Sequence, residues 1–148
     1  MTGYDRWTGA ALALLLGLTA CSCAAERSQV RREARQEEVL AELVEGYWHA
    51  LRWQYYDMAV EYLEKDSDRG RLWEYLLSRQ GVATIGDVTI YRIALDDDLA
   101  HATAFIRYEL MISNQAVVRK VTAKQRWYLG EGDRWYLELD PEELTRLD

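Results

Sequence analysis

The sequence predicts an α+β domain in which N-terminal helices pack on a curved antiparallel sheet of about four strands, followed by a short C-terminal helix. Three observations carry this expectation. Apolar residues recur at three- and four-residue steps from Leu40 to Tyr62, the stripe of an amphipathic helix. After Gly81 the pattern changes to two-residue alternation in segments separated by Asp, Asn and Gly. Helices precede strands without interleaving, which excludes a βαβ architecture and its parallel sheet.

Ahead of the domain stands an export signal. Residues 8–20 (TGAALALLLGLTA) are uncharged and rich in Leu and Ala. That run is shorter than the roughly 20 apolar residues that a membrane-spanning helix needs. It ends in Leu18-Thr19-Ala20-Cys21, which resembles the bacterial lipobox. The resemblance implies cleavage before Cys21 and acylation of that residue, leaving 1–20 as signal peptide. Stable attachment needs more than one acyl chain. Ser22 stands where an Asp would favour inner-membrane retention, so a periplasm-facing, outer-membrane location is expected if the organism is Gram-negative. With Cys21 acylated, Cys23 has no cysteine to pair with, so the body contains no disulfide.

Residues 21–38 then form the lipidated cysteine and a polar tether of mixed charge in which Arg31, Arg32 and Arg35 alternate with Glu33, Glu37 and Glu38. A single α+β domain is expected over 39–148. Its first helix carries Leu40, Leu43, Val44, Tyr47, Leu51, Tyr55, Met58 and Tyr62 on one stripe. A break falls near 54–57, and Asp57 is placed to cap a second segment, 58–64. Residues 65–70 (KDSDRG) are turn chemistry. Leu72, Trp73, Leu76 and Leu77 give a third helix ended by Gly81. Strands follow at 87–95, 100–112, 117–129 and 134–139, with turns at 96–98, 113–115 and 130–133. Asp140-Pro141-Glu142-Glu143 opens the terminal helix, 142–147.

This order of elements, with a kinked aromatic-rich first helix and the closing hairpin Trp127-Tyr128-Leu129…Arg134-Trp135-Tyr136-Leu137, resembles the nuclear-transport-factor-two-like superfamily of ketosteroid isomerases and scytalone dehydratases. The resemblance implies a cystatin-like cone whose helices and concave sheet face enclose a pocket. Members of that family often carry Gly-Asp between the first two helices, where this chain has Gln54-Tyr55, and no catalytic motif of the family is present.

Within such a cone, Arg119 and Gln125 share the alternating face of Val117, Val121 and Trp127, which makes them polar groups in an apolar wall. Tyr47, Tyr55, Tyr108 and Trp135 are their expected neighbours. An enzyme of this class would need a pocket acid or base, for which Asp57 and His101 are the candidates. Phe105 and Met111 fall on the opposite, outer face of the second strand, together with His101, Thr103, Arg107 and Glu109. That half-apolar face is a route to a homodimer or to partner docking.

Composition narrows the function further. The net charge of −7 argues against a nucleic-acid partner. No metal-ligand spacing is formed by Cys23, His49 and His101, and Asp96-Asp97-Asp98 lacks the spaced oxygens of a calcium loop, so neither metal nor cofactor is expected. The chain has 10 Tyr and 6 Trp against 1 Phe, which predicts a partly wet interior. The expected function is an envelope lipoprotein, anchored in the membrane, with a non-catalytic domain for a small apolar ligand or a protein partner. A dehydratase or isomerase, or a structural subunit of an envelope complex, is the alternative.

Overall fold

A computed structural model describes the backbone of residues 8–113 and 117–140, and the side chains from residue 26 onward within those limits. The helix expected at 142–147 and most of the turn at 113–115 lie outside the described residues. Two units are distinguished, Met1–Arg35 and Gln36–Asp148.

Helix α1 runs over Thr8–Arg52, so the polar tether expected before residue 39 is helical. Its composition explains this. Residues 26–38 are dominated by Glu, Arg, Gln and Ala, all strong helix formers, and Gln29 donates to Glu33 one turn later at 3.1 Å. Among the described residues no helix is long and apolar enough to cross a membrane.

In the second unit α1 buries Leu40, Val44, Tyr47 and Trp48, which extends the expected stripe to Trp48. The helix stops at Gln54, whose φ of 59° is left-handed. Tyr55 N–H donates to the Ala50 carbonyl (2.8 Å) and Gln54 N–H to the Leu51 carbonyl (3.2 Å), the paired bonds of a Schellman ending. Gln54 therefore holds the position that glycine usually takes.

Helix α2 (Tyr56–Val60) begins without a side-chain cap. Asp57 lies inside its first turn and is exposed, so it is not the N-cap expected from the sequence. Helix α3 (Asp66–Arg79) starts earlier than expected and absorbs the KDSDRG segment, because Asp66 and Asp68 complement the positive end of the helix dipole. Gly81, at φ 77°, makes the left-handed corner that turns the chain into the sheet.

The sheet is an antiparallel meander ordered β1 (Ala83–Leu95), β2 (His101–Ile112), β3 (Val117–Leu129), β4 (Trp135–Leu137). Strand β1 begins four residues before the expected start. The reason is a register shift between Ile85 and Val88, with a second between Ile90 and Arg92. Ile85, Val88, Ile90, Ile93 and Leu95 face Leu110, Tyr108, Ile106, Ala104 and Ala102. A step of three on β1 meets a step of two on β2 at each shift, which keeps all five on the inner face.

In β2 every second residue from Ala102 to Ile112 is buried. Strand β4 is three residues rather than the six expected, its register with β3 ending at Leu137 and one further bond running from the Glu138 N–H to the Arg126 carbonyl at 2.9 Å. Its other edge is covered, for Leu137 N–H donates to the Tyr62 carbonyl at 2.8 Å. The core lies between the inner sheet face and the three helices. At its centre Tyr47, Tyr62 and Trp127 form a triangle of edge-to-face rings with centroids 5.7 to 6.3 Å apart. Tyr62 also packs its hydroxyl on Gly46 of α1, where any side chain would collide with it.

Candidate functional site

The same packing leaves a cavity of about 70 Å³. Three elements build its wall. Helix α1 contributes Tyr47, Trp48 and Leu51, α3 contributes Leu72, Tyr75 and Leu76, and the sheet contributes Tyr108, Val121, Ala123 and Gln125. Glu138 and Leu139, just after β4, complete it.

Gln125 is the buried polar side chain among the described residues, at 4% exposure. A carboxamide placed in an apolar wall must be hydrogen-bonded or it destabilises the fold. Trp48 supplies the bond, with its indole Nε1–H donating to Gln125 Oε1 at 3.0 Å. The pairing also fixes the orientation of the amide. An indole nitrogen only donates, so the oxygen must face Trp48, and the Nε2 amide is the donor end of the side chain. Trp48 is itself held by Tyr108, whose ring centroid lies 4.7 Å away.

Tyr75 stands on the opposite side under the Arg79 guanidinium, 5.6 Å from its ring centroid. Burial pushes its phenol upward from the ordinary value, and the Arg79 cation opposes that shift. With Leu51 and Leu76, Tyr75 also borders a second cavity of about 30 Å³ beside Ala83 and Ile85. These three side chains are a shared wall between the two spaces.

The residues singled out from sequence divide into three groups. Tyr47, Tyr108 and Gln125 come together on the cavity wall. Trp127 and Trp135, each 1% exposed, pack in the core without lining it. Trp135 Nε1–H donates to Gln36 at 2.8 Å, whereas Trp127 Nε1 has no partner among the described residues. Tyr55 and Arg119 are exposed and away from the cavity. Tyr55 leaves the stripe because Gln54 ends the helix before it, and Arg119 belongs to the first part of β3, 117–120, which is exposed throughout.

Trp48, Tyr75 and Glu138 are wall residues that the sequence reading did not single out for the pocket. The signal for Trp48 was its spacing, four residues after Val44. Glu138 had none, since its place depends on the chain turning after β4. Its carboxylate meets Arg126 at 3.3 Å.

The two candidate acid-base groups lie elsewhere. Asp57 is exposed on α2, and His101 is exposed at the β1–β2 turn with Nδ1 2.6 Å from Asp98 Oδ2. Asp98 also accepts from the backbone N–H of Ala100 (2.8 Å) and of His101 (3.0 Å). The Ala100 bond, then the His101 side chain, hold that carboxyl below the usual carboxylate range. The Asp96-Asp97-Asp98 run is thus a turn stabilised from within. Among the described residues no cluster of His, Cys, Asp and Glu could hold a metal ion.

Protein groups satisfy several of the tyrosine and tryptophan polar tips, as in Trp48 to Gln125, Trp135 to Gln36 and Tyr128 to Glu64 (2.9 Å), whereas the Tyr75 hydroxyl and Trp127 Nε1 are buried without a hydrogen-bond partner among the described residues.

No family model and no curated protein matches this sequence. Among solved structures the chain is similar to a ketosteroid isomerase-like protein from Erwinia carotovora atroseptica, with a TM-score of 0.55 and 12% identity over 69% of this chain and 90% of that one. It is similar also to a candidate polyketide cyclase from Xanthomonas campestris pv. campestris, with a TM-score of 0.51 and 11% identity over 76% of this chain and 99% of that one. At such identities the likeness establishes the fold, the nuclear-transport-factor-two-like cone, while activity depends on the site each chain builds in it.

Proposed function

We propose that this chain is an envelope lipoprotein, anchored through Cys21, whose domain binds a small apolar ligand and performs no chemistry on it. The observation that carries the binding reading is the Gln125 carboxamide, pinned by Trp48 in a wall whose other members are mostly aromatic and aliphatic. One oriented polar group in an apolar cavity selects a ligand by shape and by a single hydrogen bond. With the amide oxygen already accepting from the indole, Gln125 offers its Nε2 amide as donor, which suits a ligand with a carbonyl or ether oxygen.

The enclosed space of about 70 Å³ is smaller than the roughly 150 Å³ cavity that accepts benzene. A ligand of that size enters by moving the wall of Leu51, Tyr75 and Leu76, which would join the two cavities. The non-catalytic reading rests on the wall chemistry. Glu138 is the carboxylate that borders it, and its side chain is exposed and engaged by Arg126 at 3.3 Å.

A panel of short cyclic and branched ketones tests the ligand reading, with Trp48 fluorescence and thermal unfolding as readouts. Saturable quenching and a raised Tm are expected, both lost in Gln125→Leu. No response from any member would remove the ligand reading. The anchor has a separate test, in which metabolic labelling with a radioactive fatty acid should mark the wild type and leave Cys21→Ser unmarked. Acylation persisting in that variant would remove the lipobox assignment.

A further inference from the structure

The outer face of the sheet carries a different chemistry. The register places Arg92, Phe105 and Lys124 in one row across β1, β2 and β3, and Thr89, Arg107 and Thr122 in the next. The shift between Ile90 and Arg92 leaves Tyr91 as the extra residue of β1. Its ring lies 6.1 Å from that of Phe105, so Tyr91 and Arg92, neighbours in sequence, share this face.

Both rings are covered by cations. Arg92 sits 5.6 Å and Lys124 6.0 Å from the Phe105 centroid, and Arg107 sits 5.7 Å from that of Tyr91. Stacking of this kind holds the cationic heads over the rings and leaves their charge available to solvent. The acids on this face are few. Glu109 stands opposite Lys120, and Glu138 is paired with Arg126. Among the described residues no carboxylate pairs with Arg92, Arg107 or Lys124. Three uncompensated cations thus sit together on a protein whose net charge is −7.

We propose that this face docks on an anionic phospholipid surface. Charge complementarity selects the occupant, because a second copy of the chain would bring three cations against three cations. The chemistry of the patch agrees, since polybasic segments bind anionic leaflets and aromatic rings settle at headgroup level. The cavities described above lie among other residues, and a bilayer requires only a face. The inference is independent of the cavity and of what fills it.

Vesicle sedimentation of the full chain carrying Cys21→Ser, which cannot be acylated there, tests the proposal. The probes are phosphatidylcholine vesicles with and without about one third phosphatidylglycerol, so that binding by the apolar N-terminal segment appears equally in both. The phosphatidylglycerol-dependent gain in affinity is expected to fall about a hundredfold in Arg92→Ala/Arg107→Ala/Lys124→Ala. It should survive in Arg92→Lys/Arg107→Lys, and it should vanish at high salt. Arg31→Ala/Arg32→Ala/Arg35→Ala should keep most of it. Full retention by the first variant with an unchanged Tm overturns the proposal, as does loss confined to the Arg31 variant. A wild-type dimer that the triple variant breaks, without any vesicle binding, assigns the face to a second copy and overturns it equally.

Discussion

The two faces of the sheet are built from the same strands and differ in almost everything else. Along β2, Ala102, Ala104, Ile106, Tyr108, Leu110 and Ile112 point inward and are buried, while His101, Thr103, Phe105, Arg107, Glu109 and Met111 alternate with them outward. The buried part of the inner face is uncharged, and its one buried amide accepts from one indole. On the outer face aromatic rings serve as seats for cations. The difference teaches where stability and surface chemistry are separately encoded. Inner residues gain from removal of apolar area and tolerate polarity only when it is paired, whereas outer residues stay hydrated and are free to carry charge.

The largest expected effect breaks the inner face at its centre. Trp127→Ala should cost about 3–5 kcal/mol in urea unfolding, since it empties the ring triangle with Tyr47 and Tyr62. Phe105→Ala, its counterpart outside, should cost under about 1 kcal/mol. Equal costs would mean that the faces are not energetically distinct.

Next comes the polar pair. Gln125→Leu leaves the Trp48 indole N–H buried without an acceptor and should destabilise by about 1–3 kcal/mol. Adding Trp48→Phe should recover part of that loss, because both ends of the bond are then apolar. A double-mutant cycle with no coupling would show that the bond is incidental to the wall.

Tyr128 tests the boundary between the faces. It alternates outward on β3, yet its hydroxyl donates to Glu64, which also accepts from the Glu131 N–H at 3.1 Å. Partial burial first, and then the Glu64 carboxylate, push its phenol from 10.0 up to about 12. The folded state thus holds the phenolic proton more tightly than the unfolded chain. Its contribution is fully present below pH 10 and is lost as the pH rises towards 12. Ultraviolet titration should show one fewer late-ionising tyrosine in Tyr128→Phe, and alkaline unfolding in that window should be less steep. An unchanged titration would place the late ionisation elsewhere.

The smallest effect belongs to the outer cations. Arg92→Ala should alter stability by no more than about 0.5 kcal/mol, and its sign can be favourable because it relieves repulsion from Lys124 across the row. A larger loss would make the patch part of the scaffold.

Particular residues show how far the sequence could be read. The inner face of β2 was legible without a gap, because two-residue alternation is a property of the strand itself. The stripe from Leu40 to Leu51 was legible for the same reason. It failed at Tyr55, since one left-handed residue, Gln54, resets the helical phase and Gln is not the residue that usually takes that conformation. The expected start of β1 at residue 87 fell four residues late, although the three-residue step from Ile85 to Val88 already contained the bulge. Of the cavity wall, Tyr47, Tyr108 and Gln125 were legible from periodicity, whereas Glu138 was not.

By itself, then, the sequence determined the periodic faces and the order of helices before strands, both of which depend on spacing along the chain. Tertiary structure decided which polar residues of one face are buried. Gln125 and Arg119 alternate identically on β3, yet one is 4% exposed on the cavity wall and the other lies in the open first part of the strand. It decided also that Tyr91 and Arg92, adjacent in sequence, share one side of the sheet. The physical reason is common to both, for alternation assigns a residue to a face, while burial and register are set by what other segments place opposite it.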